Sequence, residues 1–161
     1  MALKIVQALI GTCISGTRID KPHSFATACT VASQIVAQVA SSQYGGQTIS
    51  MSHLAPFVDL SCKRIAKRLR SEFESTGIET TEDKFKDLVE QEVRKEVEGG
   101  CQTIQYQLIT LQSTNGQAPF VTVFLYLHEL PEGQARDDLA LITEVMLKQR
   151  ILGVKDRTGA Y

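Results

Sequence analysis

The segment Lys21-Pro22-His23-Ser24-Phe25 contains a cation and an imidazole directly before a predicted helix. Ser24 is a good N-cap residue, and Pro22 prevents a helix from starting earlier. A helix N-terminus carries free N–H groups and about half a positive charge, which together attract anions. The spacing therefore allows a phosphate site formed by Lys21, His23 and the helix start, although a plain solvent-exposed surface is the commoner outcome of such a pattern.

The histidines and cysteines form no recognisable catalytic or metal-binding set. His23, His53 and His128 are scattered, and no nucleophile elbow, dinucleotide loop, Walker loop or His-x-x-x-His pair occurs. The four cysteines, at positions 13, 29, 62 and 101, contain no Cys-x-x-Cys pair. Each lies in or near an apolar stripe, which favours buried, reduced, structural thiols. We therefore predict no catalytic residue and no metal ligand in this chain.

Hydrophobic spacing predicts four long helices that would position these residues. They span about residues 24–43, 50–75, 80–111, with a break or kink at Gly99-Gly100, and 137–152. Residues 120–127 are β-branched or apolar on both faces, which is typical of a central strand in a parallel sheet. One strand cannot form a sheet, so its partner is either a short strand near residues 12–15 or lies outside this chain.

The first predicted helix has a polar stripe without any charge. The stripe contains hydroxyl and amide side chains at helical spacing, namely Thr27, Thr30, Gln34, Gln38 and Ser41. A solvent-facing stripe usually carries Lys or Glu. An uncharged stripe indicates a helix–helix interface with hydrogen bonds across it.

Length and charge exclude several classes of protein. The chain has 161 residues, which is one domain by the usual prior of roughly 100–200 residues, and its net charge of −1 gives no reason to expect nucleic acid or a membrane as a partner. Gln7 interrupts the apolar N-terminal run, so we expect no signal peptide and a cytoplasmic location.

The charge is unevenly distributed along the chain. Residues 63–70 hold five basic groups and no acid, and residues 71–100 hold ten acidic and four basic groups. Two solvated helix faces explain this pattern, and an anion bound by the basic cluster is the alternative.

Several segments in a fixed order carry a family resemblance. They are residues 21–25, 34–46, 54–58, 105–108, 115–122 and 147–153. Over residues 11–156 the chain resembles the anaerobic (class III) ribonucleoside-triphosphate reductases, glycyl-radical enzymes that make deoxynucleotides without oxygen. Residues 1–10 match poorly.

The resemblance implies an α/β fold. The chain would be a single partial domain, a helix-rich internal fragment of the large catalytic subunit. It would hold part of the family's ten-stranded α/β barrel, with long helices forming a dimer-interface bundle. The family's radical glycine, its thiyl-forming cysteine, its zinc-binding cysteines and its ATP-binding domain would lie outside this chain.

The resemblance also implies a site for a deoxynucleoside triphosphate that acts as a specificity effector at the homodimer interface. His23 and Gln38 would contact it from the first helix, together with Lys21 and Gln34. Lys67 or Arg70 would face the triphosphate from the second helix, and Gln105 is a looser candidate because relatives often place Glu there.

Asn115 would touch the ribonucleoside triphosphate substrate. Ile109 stands where relatives commonly have Asn, which would impair this copy if that Asn handles substrate. The chain itself is expected to bind no cofactor. The intact family uses a glycyl radical installed by a radical S-adenosylmethionine/iron–sulfur activating enzyme, structural zinc, and ATP or dNTP effectors.

Three functions remain open from the sequence. The first is a reductase fragment that keeps the effector and dimer surface but is inactive alone. The second is a stand-alone nucleotide-binding dimerisation module, and the third is a helical protein–protein adaptor. Nucleotide binding distinguishes the first two from the third.

Overall fold

The computed structural model describes residues 13–14, 17–18, 20–42, 45–110 and 120–153. The first described elements are two short strands, β1 (Cys13–Ile14) and β2 (Thr17–Arg18), which are followed by α1 (Phe25–Ser42) and β3 (Gln47–Ser50). Helices α2 (Ala55–Thr76) and α3 (Glu82–Thr110) follow, then β4 (Val121–Phe124) and α4 (Gln134–Leu152). Single 3₁₀ turns, Met51–His53 and Leu127–Glu129, follow β3 and β4. Within these ranges, no helix is long and apolar enough to cross a membrane.

Helix α1 begins where its sequence predicts. The Ser24 Oγ accepts a hydrogen bond from the backbone N–H of Thr27 at 3.2 Å, and the Ser24 carbonyl accepts the first helical bond, from Ala28. The helix ends at Ser42, one residue before the predicted end. Its apolar face consists mostly of Ala, Val and Ile, and this face packs mainly on α3.

Helix α2 starts later than predicted. The sequence indicated a helix from about residue 50, but Ser50 ends β3, and the helix begins at Ala55 with Pro56 in its first turn, where proline is tolerated. It ends at Gly77, which adopts the left-handed conformation (φ 65°, ψ 24°) that glycine accepts at low cost.

The partner of the predicted strand is β3, not a strand near residues 12–15. Strands β3 and β4 run parallel, with Gln47 opposite Val121 and Ser50 opposite Phe124. The N-terminal strand β1 exists but pairs with β2 as an antiparallel hairpin. The prediction that β4 is buried on both faces is also wrong, because its alternate residues Thr122 and Phe124 are exposed.

Helix α3 is continuous through Gly99-Gly100, so the predicted break does not occur. A Cβ on Gly100 would lie 2.6 Å from Phe25 Cε1 and 2.9 Å from Cys29 Sγ. The absence of a side chain there lets α1 approach α3 closely, which is a packing role rather than a helix-breaking one. Thr81 precedes the first turn, and its Oγ1 accepts from Lys84 N–H at 3.5 Å.

The core lies around α3, which packs against all three other helices. The large side chains that are almost fully buried in this core include Phe25, Val36, Met51, Val58, Val97, Cys101, Ile104, Leu139, Ile142 and Val145.

Helix α4 begins at Gln134, three residues before the predicted start, and ends at Gly153 as predicted. Helices packed around a parallel strand pair form an α/β arrangement, in agreement with the predicted fold class.

Candidate functional site

The uncharged stripe of α1 lies on its exposed side. Thr27, Gln34, Gln38 and Ser41 are exposed, and Thr30 is half-buried. The helix has no charged residue over its 18 positions, so this surface offers only hydroxyl and amide groups. Gln34 and Gln38 are four residues apart and therefore share one face. The structure thus brings both predicted glutamines to a single polar surface.

The N-terminus of α1 is already occupied by groups of the chain itself. The Phe25 N–H donates to Ser61 Oγ at 2.8 Å, the Ala26 N–H donates to Glu96 Oε1 at 3.3 Å, and Ser24 accepts from Thr27. These are the first three N–H groups of the helix, which otherwise lack partners. The expected phosphate cradle of free N–H groups is therefore wrong, because a carboxylate from α3 takes the place of the anion.

Glu96 is held there by two further bonds. The Ser61 Oγ donates to Glu96 Oε1 at 2.7 Å, and Arg64 Nη2 donates to Glu96 Oε2 at 2.7 Å. The Glu96 side chain is only 13% exposed, so this network joins α1, α2 and α3 in a largely desolvated position. Sequence reasoning missed it. The available signal was that Ser61 interrupts the apolar stripe of α2 and Glu96 precedes the buried Val97.

Lys21 and His23 remain available at the start of α1. Both are exposed, while Pro22 between them and Ser24 after them are buried. The buried neighbours fix the backbone and leave the two basic side chains on the solvent side. Neither side chain forms an ion pair with a described residue, so both can contact an anion at the solvent side.

The basic cluster of residues 63–70 is mostly paired with acids. Arg64 binds Glu96, and Lys63 binds Asp59 at 2.6 Å. Arg68 lies 3.6 Å from Glu72 and 3.5 Å from Glu92, and Arg70 lies 3.4 Å from Glu82. The Arg70 guanidinium also sits 5.1 Å from the centre of the Phe85 ring. Lys67 is exposed and makes no ion pair with any described residue.

The remaining predicted site residues lie elsewhere. Gln105 is buried between α3 and α4, where its Nε2 donates to the Met146 carbonyl at 3.4 Å and lies 3.1 Å from Met146 Sδ. It is therefore not on the exposed stripe of α1. Ile109 is 63% exposed near the end of α3. Asn115 lies outside the described residues.

A polar cluster that sequence reasoning did not find joins the ends of β3 and β4. The Ser50 Oγ donates to Glu129 Oε2 and lies 2.9 Å from Ser52 Oγ. These hydroxyls lower the pKa of Glu129 by hydrogen bonding to its ionised form. His53 lies nearby, with a buried Nδ1 that has no partner among the described residues. The cluster lies at the carboxyl edge of a parallel strand pair. Its hydrogen bonds connect the end of β3 to the turn that follows β4, which is a structural role.

The cysteines of the helices are buried or half-buried, and no cluster of metal ligands occurs in the described ranges. No group of three or more His, Cys, Asp or Glu in the described ranges could hold a metal ion. Cys29 and Cys101 are fully buried, and burial raises the pKa of both thiols, that of Cys101 to about 12. Cys62 is half-buried, and burial also raises its pKa. The raised pKa values favour the protonated thiols at neutral pH, which are weak nucleophiles and weak metal ligands.

Comparison with known proteins identifies the family to which the chain belongs. The α/β arrangement of helices and parallel strands defines the class. Residues 7–161 match the family model of anaerobic ribonucleoside-triphosphate reductase, and the chain belongs to this family.

Three relatives named anaerobic ribonucleoside-triphosphate reductase show the extent of the similarity. The protein of Haemophilus influenzae is 35% identical over 143 residues, which cover 88% of this chain and 18% of the relative. The protein of Escherichia coli is 35% identical over 150 residues, or 91% of this chain and 19% of the relative. The protein of Enterobacteria phage T4 is 31% identical over 144 residues, or 88% of this chain and 21% of the relative. The chain thus spans about a fifth of the length of the curated relatives it matches.

Proposed function

We propose that this chain is the part of an anaerobic ribonucleoside-triphosphate reductase that carries the specificity effector site and the homodimer interface. The intact protein would convert ribonucleoside triphosphates to deoxyribonucleoside triphosphates for DNA synthesis in the cytoplasm. The observation that carries the proposal is the exposed face of α1, which has hydroxyl and amide groups but no charge. The segment alone would be inactive, because the family's radical glycine and thiyl-forming cysteine are expected to lie outside it.

The dimer is proposed to form through α1. In a two-fold symmetric dimer the same surface occurs on both copies, so the hydroxyl and amide groups of one stripe can donate to and accept from those of the other. A charged residue near the two-fold axis would oppose the same charge on the partner. The uncharged stripe avoids this repulsion, and the ten-stranded barrel would be completed by parts of the protein beyond those described.

The effector is proposed to bind where the two copies meet. Phe25 and Gln38 are 13 residues apart on α1, which is about 20 Å along the helix axis. One nucleotide therefore contacts His23 and Gln38 together most simply when Gln38 comes from a second, antiparallel copy of α1. Lys21 and His23 would then face the triphosphate from one copy, with Gln34 and Gln38 beside the nucleoside.

Lys67 suits the triphosphate better than Arg70. Lys67 lies one turn beyond Arg64, whose partner Glu96 is hydrogen-bonded to the start of α1. Lys67 makes no ion pair with the described residues, whereas Arg70 is engaged by Glu82 and lies over Phe85. Gln105 is not included, since its amide is already bonded to Met146.

The remaining parts of the reaction belong to the intact protein. Asn115 is proposed to contact the ribonucleoside triphosphate substrate. The glycyl radical, its radical S-adenosylmethionine activating enzyme and the structural zinc act through residues other than those described here.

The dimer is tested by measuring molar mass with light scattering over a range of chain concentrations. We expect a dimer of the wild-type chain and a monomer of Thr30→Glu, because residue 30 lies midway between His23 and Gln38, beside the proposed two-fold axis, where a like charge costs several kcal/mol. Thr103→Glu is the matched control and should stay dimeric, since Thr103 is a half-buried threonine of α3 whose Oγ1, like that of Thr30, donates to the carbonyl four residues earlier. A monomeric wild type, or a Thr30→Glu dimer as stable as the control, contradicts the proposal.

The effector site is tested by calorimetric titration with each of the four dNTPs. Lys67→Ala should weaken binding about 10-fold or more, since charge-assisted hydrogen bonds contribute roughly 1.5–3 kcal/mol. Lys86→Ala, which removes an exposed lysine of α3, should leave binding unchanged. His23→Ala and Gln38→Ala should also weaken it. Absence of dNTP binding to a folded dimer would overturn the effector assignment while leaving the dimer assignment intact.

A further inference from the structure

A cavity of about 430 Å³ lies between α2, α3 and α4, away from the exposed stripe of α1. Part of its wall is apolar, with Val58, Val93 and Leu141 supplied by the three helices. The rest of its wall is acidic. Each helix contributes at least one carboxylate, namely Asp59 from α2, Glu90 from α3, and Asp137 and Asp138 from α4.

Asp138 is the most deeply placed of these acids. Only 6% of the residue is exposed. Its Oδ1 accepts a hydrogen bond from Gln134 Nε2 at 2.8 Å, while its Oδ2 is buried without a partner in the described part of the chain. Burial raises the pKa of Asp138, and the carboxylates of Asp59 and Asp137 raise it further. A buried carboxylate oxygen without a donor is costly, which indicates that a donor belongs there.

The charges around the cavity do not balance. The guanidinium of Arg94, which also lines the wall, is engaged by both carboxylate oxygens of Glu144 at 3.2 and 3.3 Å. Asp59 is paired with Lys63. Glu90, Asp137 and Asp138 have no ion pair among the described residues, so the cavity keeps a negative potential. The Cys62 thiol at its edge adds no positive charge, and burial together with the nearby carboxylates raises its pKa.

We propose that this cavity binds one alkylammonium group, with its N–H groups donating to Asp138 Oδ2 and its methylene stem lying against Val58, Val93 and Leu141. An ammonium group supplies the hydrogen that Oδ2 lacks and brings one positive charge to a wall with three unpaired acids. A coordinated metal fits less well, because no three potential ligands within the described ranges are close enough together to hold one. The group is either a free amine or a lysine side chain of another polypeptide segment.

The test uses two probes, n-butylammonium and Nα-acetyl-lysine amide, titrated into the folded chain and followed by NMR chemical shifts of α2, α3 and α4. Tetramethylammonium chloride at equal ionic strength controls for screening, since it has no N–H donor. Saturable shifts with at least one of the two probes and none with tetramethylammonium support the site. Binding of butylammonium alone indicates a free amine as the natural occupant, and binding of the lysine amide indicates a polypeptide.

The variants distinguish binding of the probe in the cavity from nonspecific attraction to acidic residues on the surface. Asp138→Asn should weaken the probe about 10-fold or more, because it removes the charge that accepts the ammonium hydrogen bond. Asp87→Asn changes the net charge equally at an exposed position of α3 outside the cavity wall and should have no effect. Glu90→Gln provides a second, exposed test if Asp138→Asn does not fold. No saturable binding to the wild type, or equal weakening by Asp138→Asn and Asp87→Asn, overturns the proposal.

Discussion

Gly100→Ala should destabilise the chain although alanine is the better helix former. In an exposed helix interior, alanine is favoured over glycine by about 1 kcal/mol. At Gly100, however, the new Cβ would lie 2.6 and 2.7 Å from two ring carbons of Phe25 and 2.9 Å from Cys29 Sγ. Carbon atoms pack best at roughly 3.5–4.0 Å, so the Phe25 ring and α1 must move away from α3 by about 1 Å. Both neighbours are fully buried and cannot swing away.

The magnitude follows from these opposing effects. Overpacking a tight core costs about 1–3 kcal/mol, and contacts this short belong at the upper end of that range. After subtraction of the helix-propensity gain, we expect a net loss of about 2 kcal/mol, or a Tm lower by roughly 4–8 °C for a chain of this size. The neighbouring Gly99 is exposed, and its Cβ would meet no atom within 4 Å. Gly99→Ala should therefore stabilise the chain by about 1 kcal/mol.

Urea denaturation followed by far-UV circular dichroism measures both changes on the same helix. Phe25→Leu in the Gly100→Ala background should recover part of the loss, because it shortens the ring that the methyl group meets. If Gly100→Ala raised the urea midpoint as much as Gly99→Ala, the close approach of α1 to α3 would be refuted as the reason for glycine at this position.

Three further changes test the buried and charged groups. Ser61→Ala should cost about 1–3 kcal/mol in urea denaturation, because Phe25 N–H loses its acceptor and Glu96 a donor, while exposed Ser71→Ala should cost little. Lys148 and Arg94 lower the pKa of Glu144 from 4.5 to about 2, so its ionised form stabilises the wild type above pH 4.5 and this contribution is lost as pH falls toward 2. Glu144→Gln should lack that loss, and urea midpoints that change equally in both proteins over this range would contradict it. The raised pKa of Asp138 has the opposite sign: the wild type loses stability as pH rises above 3.8 through the folded-state pKa, so Asp138→Asn should be more stable than the wild type at pH 7 and similar below pH 3.8.

The long helices could be predicted because their boundaries depend on local chemistry. Ser24 caps α1 through its own neighbour Thr27, and Gly77 and Gly153 end their helices with positive φ angles. These effects act within a few residues and are visible in the sequence. The shared face of the uncharged stripe on α1 was predictable for the same reason, since 3.6-residue periodicity determines which side chains lie together.

The missed features depend on partners distant in sequence. Strand β3 has only four residues, and it becomes a strand by pairing with β4, more than 70 residues later. Gly100 looked like a helix break because the sequence does not show that Phe25 lies against it. Glu96 looked like one acid among ten, yet its position beside Ser61 and the start of α1 makes it the cap of another helix.

The same reasoning explains which surfaces are available for recognition. The basic run of residues 63–70 suggested an anion site. Its arginines instead form ion pairs, mostly with acids of α3, so the positive charge of α2 is largely neutralised where the two helices pack together. What remains in the described part of the chain is an uncharged face on α1, with exposed cations near its start, and an acidic cavity whose deepest carboxylate lacks a donor. The first surface suits a second copy and an anionic nucleotide, and the second suits a cation. Because the two share no residue, the failure of either proposal leaves the other unaffected.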